Sequence, residues 1–178
     1  MSASGAGGKG RYEHVEHGFA PVFDADSRVL VLGSFPSVKS REASFYYGNP
    51  QNRFWRVISE ITGYRLPENP TIDDKKEMLL SCNIALWDVI ASCDIAGSSD
   101  SSIRNVVPND VPSLVRGSEV EAVLANGGTA ARLYARHLED EVGIPAVKLP
   151  STSPANASWT LDRLIGAWKE ALEPYLNG

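Results

Sequence analysis

Four short runs of apolar and β-branched residues recur along the chain, at 28–32 (RVLVL), 84–89 (IALWDV), 120–125 (VEAVLA) and 146–149 (AVKL), and each has the length of a buried strand. Between and after them the apolar positions switch to helical spacing. Phe54, Val57, Ile58 and Ile61 form one such set, Ala130, Leu133, Tyr134 and Leu138 a second, and Leu161, Leu164, Ile165, Trp168 and Leu172 a third. Strands alternating with helices imply right-handed crossovers, and so predict an α/β fold: a single three-layer α-β-α domain around a central four-stranded parallel sheet. In such sheets ligands bind outside the carboxyl ends of the strands. The loops leaving those ends are rich in Ser, Asn, Gly and Pro, reading GSFPS, DVIASCD, NGGTAA and PSTSPANA in strand order. Residues 1–11 (MSASGAGGKGR) are small, glycine-rich and aperiodic, which predicts a disordered leader and leaves 12–178 for the domain.

Composition narrows the class. A chain of 178 residues with 43% hydrophobic content is long enough for one well-buried core. With 17 basic against 22 acidic side chains, a formal −5, the whole molecule exerts no attraction on a polyanion. Binding to phosphates would have to be local, and Lys39, Arg41, Arg53, Arg104 and Lys148 are the cations available near the loops. The two cysteines, Cys82 and Cys93, have no histidine near them, so no disulfide framework, metal site or cofactor is expected. No apolar run approaches the roughly 18 residues that span a bilayer, and the N-terminus lacks the apolar stretch of a signal peptide, so a cytoplasmic protein is expected.

Residues 33–55 read GSFPSVKSREASFYYGNPQNRFW: a strand-end loop, an aromatic pair, a Gly-Asn-Pro turn and an Asn at a helix entrance. This stretch resembles the first motif of the uracil-DNA glycosylase superfamily, whose closing NRFW is matched by Asn52, Arg53, Phe54 and Trp55. Residues 149–157 (LPSTSPANA) are similar to its second motif, a Pro/Ser-rich loop after the last strand. GSFPS, YYGNP, LWDVI and IRNVVPND together look most like the DNA-deoxyinosine (hypoxanthine-DNA) glycosylase branch, over residues 28–168. The resemblance implies a monofunctional DNA glycosylase of base-excision repair. Such an enzyme removes a deaminated base, hypoxanthine first with uracil or xanthine as alternatives, and acts on DNA at the nucleoid without a cofactor; a monomer is expected, because a duplex must reach the loop face.

Such an enzyme must flip the nucleotide out, stack its base and hydrogen-bond its edge. The resemblance makes Tyr47 the stacking platform, with Tyr46 as the alternative, and places Gly33, Ser34 and Phe35 in the base site. Phe35 stands where relatives carry the water-activating Asp or Asn, so the water must be oriented from nearby. Asn49 is the first choice, through its side-chain carbonyl, and Asn52 the second; an Asn just before RFWRVISEI is also a natural helix cap. Asp88 stands where relatives place an Asn that reads the base edge, and a carboxylate there only accepts, which suits the N1–H of hypoxanthine. Ser151, Thr152, Ser153 and Pro154 offer hydroxyls and backbone N–H groups to phosphates flanking the flipped site. Asn126, before the Gly127–Gly128 helix entrance, and the cations Lys39 and Lys148 complete the expected DNA contacts. Leu149 replaces the histidine that relatives carry at the head of the second motif.

Three other readings compete. Ser34 or Ser37 as a nucleophile lacks the G-x-S-x-G elbow. A diverged, non-catalytic base- or nucleic-acid-binding module would also lack an Asp or Asn at position 35. Lys39 as a Schiff-base nucleophile would make the protein a lyase.

Overall fold

The computed structural model describes residues 11–97 and 99–176, so the leader expected at 1–11 lies, apart from Arg11, outside the described residues. The central sheet is the one expected. Strands β2 (Val29–Gly33), β3 (Ile84–Asp88), β6 (Ala122–Asn126) and β7 (Ala146–Leu149) pair in parallel in the order β3-β2-β6-β7. Strand β2 is buried along its whole length, as a parallel strand covered on both faces must be. Its side chains alternate between two cores: Val29 and Val31 face one, Leu30 and Leu32 the other.

On the first face lie helices α2 (Phe54–Thr62), α3 (Ile72–Ser81) and α7 (Leu161–Leu176), which contribute Phe54, Ile58, Met78, Leu79, Leu164 and Trp168. On the second lie α4 (Val111–Arg116) and α5 (Gly128–His137), with Val111, Leu114, Leu133 and Tyr134 turned inward. The periodic patterns at 54, 130 and 161 thus become α2, α5 and α7. Helix α3 has no such stripe, and local chemistry marks its start: Thr71 and Asp74 form a reciprocal capping box. Two short helices, α1 (Val38–Ala43) and α6 (Glu139–Val142), complete the set.

One expectation fails. The run 84–89 does not end in an irregular loop; β3 stops at Asp88, and Ile90–Ile95 forms a further strand, β4. Strand β4 pairs antiparallel with β1 (Glu13–Glu16) on one side and β5 (Arg104–Pro108) on the other, giving a second, three-stranded sheet. Both partners are largely exposed, β1 (EHVE) being polar and β5 (RNVVP) holding only the short Val106–Val107 pair before a proline, so neither carries the apolar run that announces a buried strand. The β4 side chains Ile90, Cys93 and Ile95 pack into the second core, which this small sheet helps to close.

Candidate active site at the strand ends

The register of the central sheet brings site residues to one edge. Gly33, the last residue of β2, pairs with Asp88, the last of β3, and Asn126, the last of β6, pairs with Leu149, the last of β7. The order in which strands are added reverses between β2 and β6, β3 lying to one side and β6 and β7 to the other, and this is the switch point where ligands enter open α/β sheets. A cavity of about 400 Å³ opens there, lined by Gly33, Ser34, Phe35, Tyr46, Tyr47, Asn52, Asp88, Asn126 and Ser151 to Ser153 among others. That volume lies within the range of small-molecule sites.

A hydrogen-bonded frame joins three segments distant in sequence. Asn126 Nδ2 donates to the Tyr47 hydroxyl and to Thr152 Oγ1, each at 3.0 Å, while its Oδ1 accepts from Thr152 N at 3.0 Å. Thr152 Oγ1 in turn donates to Asn52 Oδ1 at 2.9 Å, which also accepts from Phe54 N at 2.9 Å. Backbone amides only donate, so Phe54 N fixes which end of the Asn52 amide is oxygen. That oxygen has both lone pairs engaged. Asn52 Nδ2 makes no hydrogen bond among the described residues.

Arg53 holds the second motif against the first. Its guanidinium donates to the backbone carbonyls of Thr152, Ser153, Asn156 and Trp159, and its backbone N to Thr152 O. It is therefore not a cation free to meet phosphate. Gly127 completes the junction: its φ of +96° favours glycine, and a side chain there would press on Ser151 Cβ at 3.2 Å.

The base-site expectations fall into two groups. Tyr47, in a left-handed conformation at φ 53°, stacks on Phe54 with ring centroids 4.2 Å apart. Burial, followed by the nearby Asp88 charge, pushes its hydroxyl well above the usual phenol range. Tyr46 is 2% exposed and donates its hydroxyl to Ala20 O, so its ring belongs mainly to the core. Phe35 is half-buried, edge-on to the His17 ring, with the Arg41 guanidinium 5.8 Å from its centroid. The Ser34 hydroxyl bonds to Asp100 at the cavity rim.

Asp88 is 4% exposed. A Cβ added at Gly33 would lie 2.3 Å from Asp88 Oδ1 and 3.2 Å from the Tyr47 hydroxyl, so only glycine leaves room for that carboxylate over the cavity floor. Its other oxygen, Oδ2, lies 2.7 Å from Nε2 of His17. Sequence reasoning missed His17, which stands 71 positions away in a polar stretch and is carried to the site by β1 pairing with the unforeseen β4.

Asn49 is not among the cavity-lining residues; its Oδ1 accepts from Gln51 N at 3.0 Å within its own turn. Two expected phosphate contacts are also spent internally. Thr152 is fully buried and its hydroxyl both accepts and donates within the frame, and Asn126 uses its whole amide there. Lys39 on α1 and Lys148 on β7 are exposed and do not line the cavity. Among the described residues, no group of three or more His, Cys, Asp or Glu is placed to hold a metal ion, and no helix is long and apolar enough to cross a membrane.

Comparison with known proteins assigns the class. The model of the uracil DNA glycosylase superfamily matches residues 20–173, and the chain belongs to that family. It is thus a DNA glycosylase, a hydrolase acting on N-glycosyl bonds. It is 33% identical over 149 residues to the hypoxanthine DNA glycosylase of Methanosarcina acetivorans, covering 84% of this chain and 93% of that one. To the hypoxanthine DNA glycosylase of Methanosarcina barkeri it is 32% identical over 159 residues, covering 89% and 98%. The solution NMR structure of a uracil DNA glycosylase candidate from Methanosarcina acetivorans superposes with a TM-score of 0.77 at 31% identity, over 92% of this chain and 99% of that one.

Proposed function

We propose that the chain releases hypoxanthine from deoxyinosine in DNA by direct hydrolysis, as a base-excision repair enzyme with uracil and xanthine as secondary substrates. The observation that carries this reading is the cavity at the strand ends, with a carboxylate, Asp88, at its floor and the anchored amide of Asn52 in its wall. Asp88 Oδ1 accepts the N1–H of hypoxanthine, and Tyr47, seated on Phe54, supplies the stacking surface together with Phe35. The relatives that bear the name hypoxanthine DNA glycosylase support the same base.

Water adds to C1′ as the bond to the base nitrogen breaks; the electron pair leaves with the base, which regains a proton as the water loses one. Because the Asn52 carbonyl is already occupied, its Nδ2 orients the water, donating to one lone pair while the other faces C1′. A dissociative reaction asks for position more than for basicity, so an amide suffices. This reading moves Asn52 ahead of Asn49. Lys39, exposed on α1, is not placed to act as an amine nucleophile. Ser151, Ser153 and Pro154, on the loop that Arg53 clamps, meet the flanking phosphates, with Lys39 and Lys148 supplying local positive charge.

The test is a duplex oligonucleotide carrying one deoxyinosine, incubated with the protein and then treated with alkali. Strand breaks are expected only after alkali. Asn52→Ala should lower the single-turnover rate by about 100-fold or more, and Asn49→Ala should leave it nearly intact. Absence of hypoxanthine release removes the substrate assignment, and loss of activity in Asn49→Ala alone removes the assignment of the water to Asn52.

A further inference from the structure

His17 and Asp88 form a buried pair, 5% and 4% exposed, beside the cavity floor. The His17 backbone N–H donates to Ala91 O at 2.7 Å, and Gly18, at φ +83°, turns the chain immediately afterwards. Both ring nitrogens face oxygens. Nδ1 lies 2.9 Å from Phe19 O, a carbonyl that can only accept, so Nδ1 carries a hydrogen. Nε2 lies 2.7 Å from Asp88 Oδ2, and that contact also needs a proton. Either the ring is an imidazolium beside a carboxylate, or a neutral ring faces a carboxylic acid.

The surroundings favour the imidazolium. The rings of Phe19, Tyr46 and Phe35 pack around it tilted or edge-on, with centroids at 4.4, 5.9 and 6.3 Å, and leave Asp88 as the charged partner of the ring. A paired carboxylate also compensates the buried positive charge, and each stabilises the other only while both are ionised. In that form Asp88 Oδ1, over Gly33, is a bare acceptor.

We infer that His17 is a specificity-determining positioning residue: by donating through Nε2 to Asp88 Oδ2 and through Nδ1 to Phe19 O, it keeps Asp88 an acceptor-only carboxylate that selects bases carrying a ring N–H. The inference rests on the proposed contact between Asp88 and the base edge. Hypoxanthine and xanthine present N1–H, and uracil presents N3–H. Adenine and cytosine, the undamaged precursors of hypoxanthine and uracil, place a bare lone pair at the same ring positions, whereas guanine, the precursor of xanthine, keeps its N1–H and is not rejected by this contact. With adenine or cytosine, lone pair would then meet lone pair, and a site built to hydrogen-bond a group strongly rejects the analogue that lacks it. Were Asp88 protonated, its hydroxyl hydrogen could turn toward the adenine N1 lone pair and the discrimination would fade.

The experiment uses the full chain and duplexes carrying either deoxyinosine or deoxyadenosine at one position, with released base measured by mass spectrometry. In His17→Ala the ratio of hypoxanthine to adenine release should fall by on the order of tenfold or more, and His17→Gln, whose amide can still donate to Oδ2, should recover part of it. In an Asp88→Asn background, His17→Ala should change the ratio no further. Proton–nitrogen NMR of the unmodified protein should show both His17 ring N–H groups, which keeps the inference testable even if a variant unfolds. A His17 ring with one N–H overturns it, as does an unchanged ratio in His17→Ala while Asp88→Asn collapses it. An unchanged ratio in Asp88→Asn instead removes the base-edge contact on which the inference rests.

Discussion

Thr152→Val tests whether the frame around the cavity serves catalysis or only stability. Valine keeps the shape of threonine and removes one buried hydroxyl that accepts from Asn126 at 3.0 Å and donates to Asn52 at 2.9 Å. Each partner keeps one bond, Asn126 Nδ2 to Tyr47 and Asn52 Oδ1 from Phe54 N, while one N–H of Asn126 loses its acceptor. Two net hydrogen bonds are lost, at about 0.5–1.5 kcal/mol each, so stability should fall by about 1–3 kcal/mol. In a domain of this size that lowers Tm by about 2–4 °C per kcal/mol. The catalytic effect follows from one of those bonds. Asn52 loses one of the two anchors that hold its amide, and about 0.5–1.5 kcal/mol of orientation corresponds to a roughly 2- to 12-fold lower rate of base release. Single-turnover hypoxanthine release, measured well below the lowered Tm, should show that loss in the rate at saturating enzyme rather than in DNA affinity. Thr152→Ser, which restores the hydroxyl, should recover it. A variant with lowered Tm and an unchanged single-turnover rate would refute a catalytic role for the frame and would leave Asn52 an ordinary helix-entry cap.

Gly33→Ala places a methyl group 2.3 Å from Asp88 Oδ1, so the carboxylate must retreat by about 1 Å against its bond to His17. Overpacking of this kind costs about 1–3 kcal/mol, and hypoxanthine release should drop about 100-fold or more in a protein that still unfolds cooperatively; parental activity and parental Tm together would contradict the placing of Asp88. At the periphery, His14 is raised above its ordinary value of 6.5 by its hydrogen bond to Asp94 and then by Glu16. Asp94 is lowered from 3.8, first by Asn105 and then by His14. Raised in the folded state, His14 stabilises fully below 6.5 and loses that contribution as pH rises through its folded value, while Asp94 loses its own as pH falls through a value under 3.8. His14→Gln should therefore be less stable than the parent chiefly between about pH 4 and 6.5 and converge with it in alkali, the difference staying small because both groups face solvent. A stability gap that widened above neutrality, by urea denaturation at a series of pH values, would contradict this sign.

What the linear sequence determined is the part of the molecule governed by periodicity and local chemistry. The fully apolar run at β2 had to be a covered parallel strand, and the stripes at Phe54, Ala130 and Leu161 had to be helices packed on that sheet, because no other arrangement buries those side chains with the right period. From alternating strands and helices it also followed that chemistry would lie at the strand ends, and Gly33, Asp88 and Asn126 stand there in register. What only the tertiary structure decided is which polar atoms are spent and which are free. An Asn in a turn and an Asn at a helix entrance look alike in one dimension. In three, Asn49 bonds within its own turn, whereas Thr152, a hundred residues on, fixes the Asn52 amide at the cavity wall. Likewise His17 has no local pattern to mark it; it reaches Asp88 through a small antiparallel sheet whose outer strands are largely exposed, the one next to His17 (EHVE) being polar throughout but for Val15. Periodicity records which face of an element is dry. Pairing between atoms far apart in the chain leaves no period, and the donor that bears on Asp88 is visible only once the sheets are folded together.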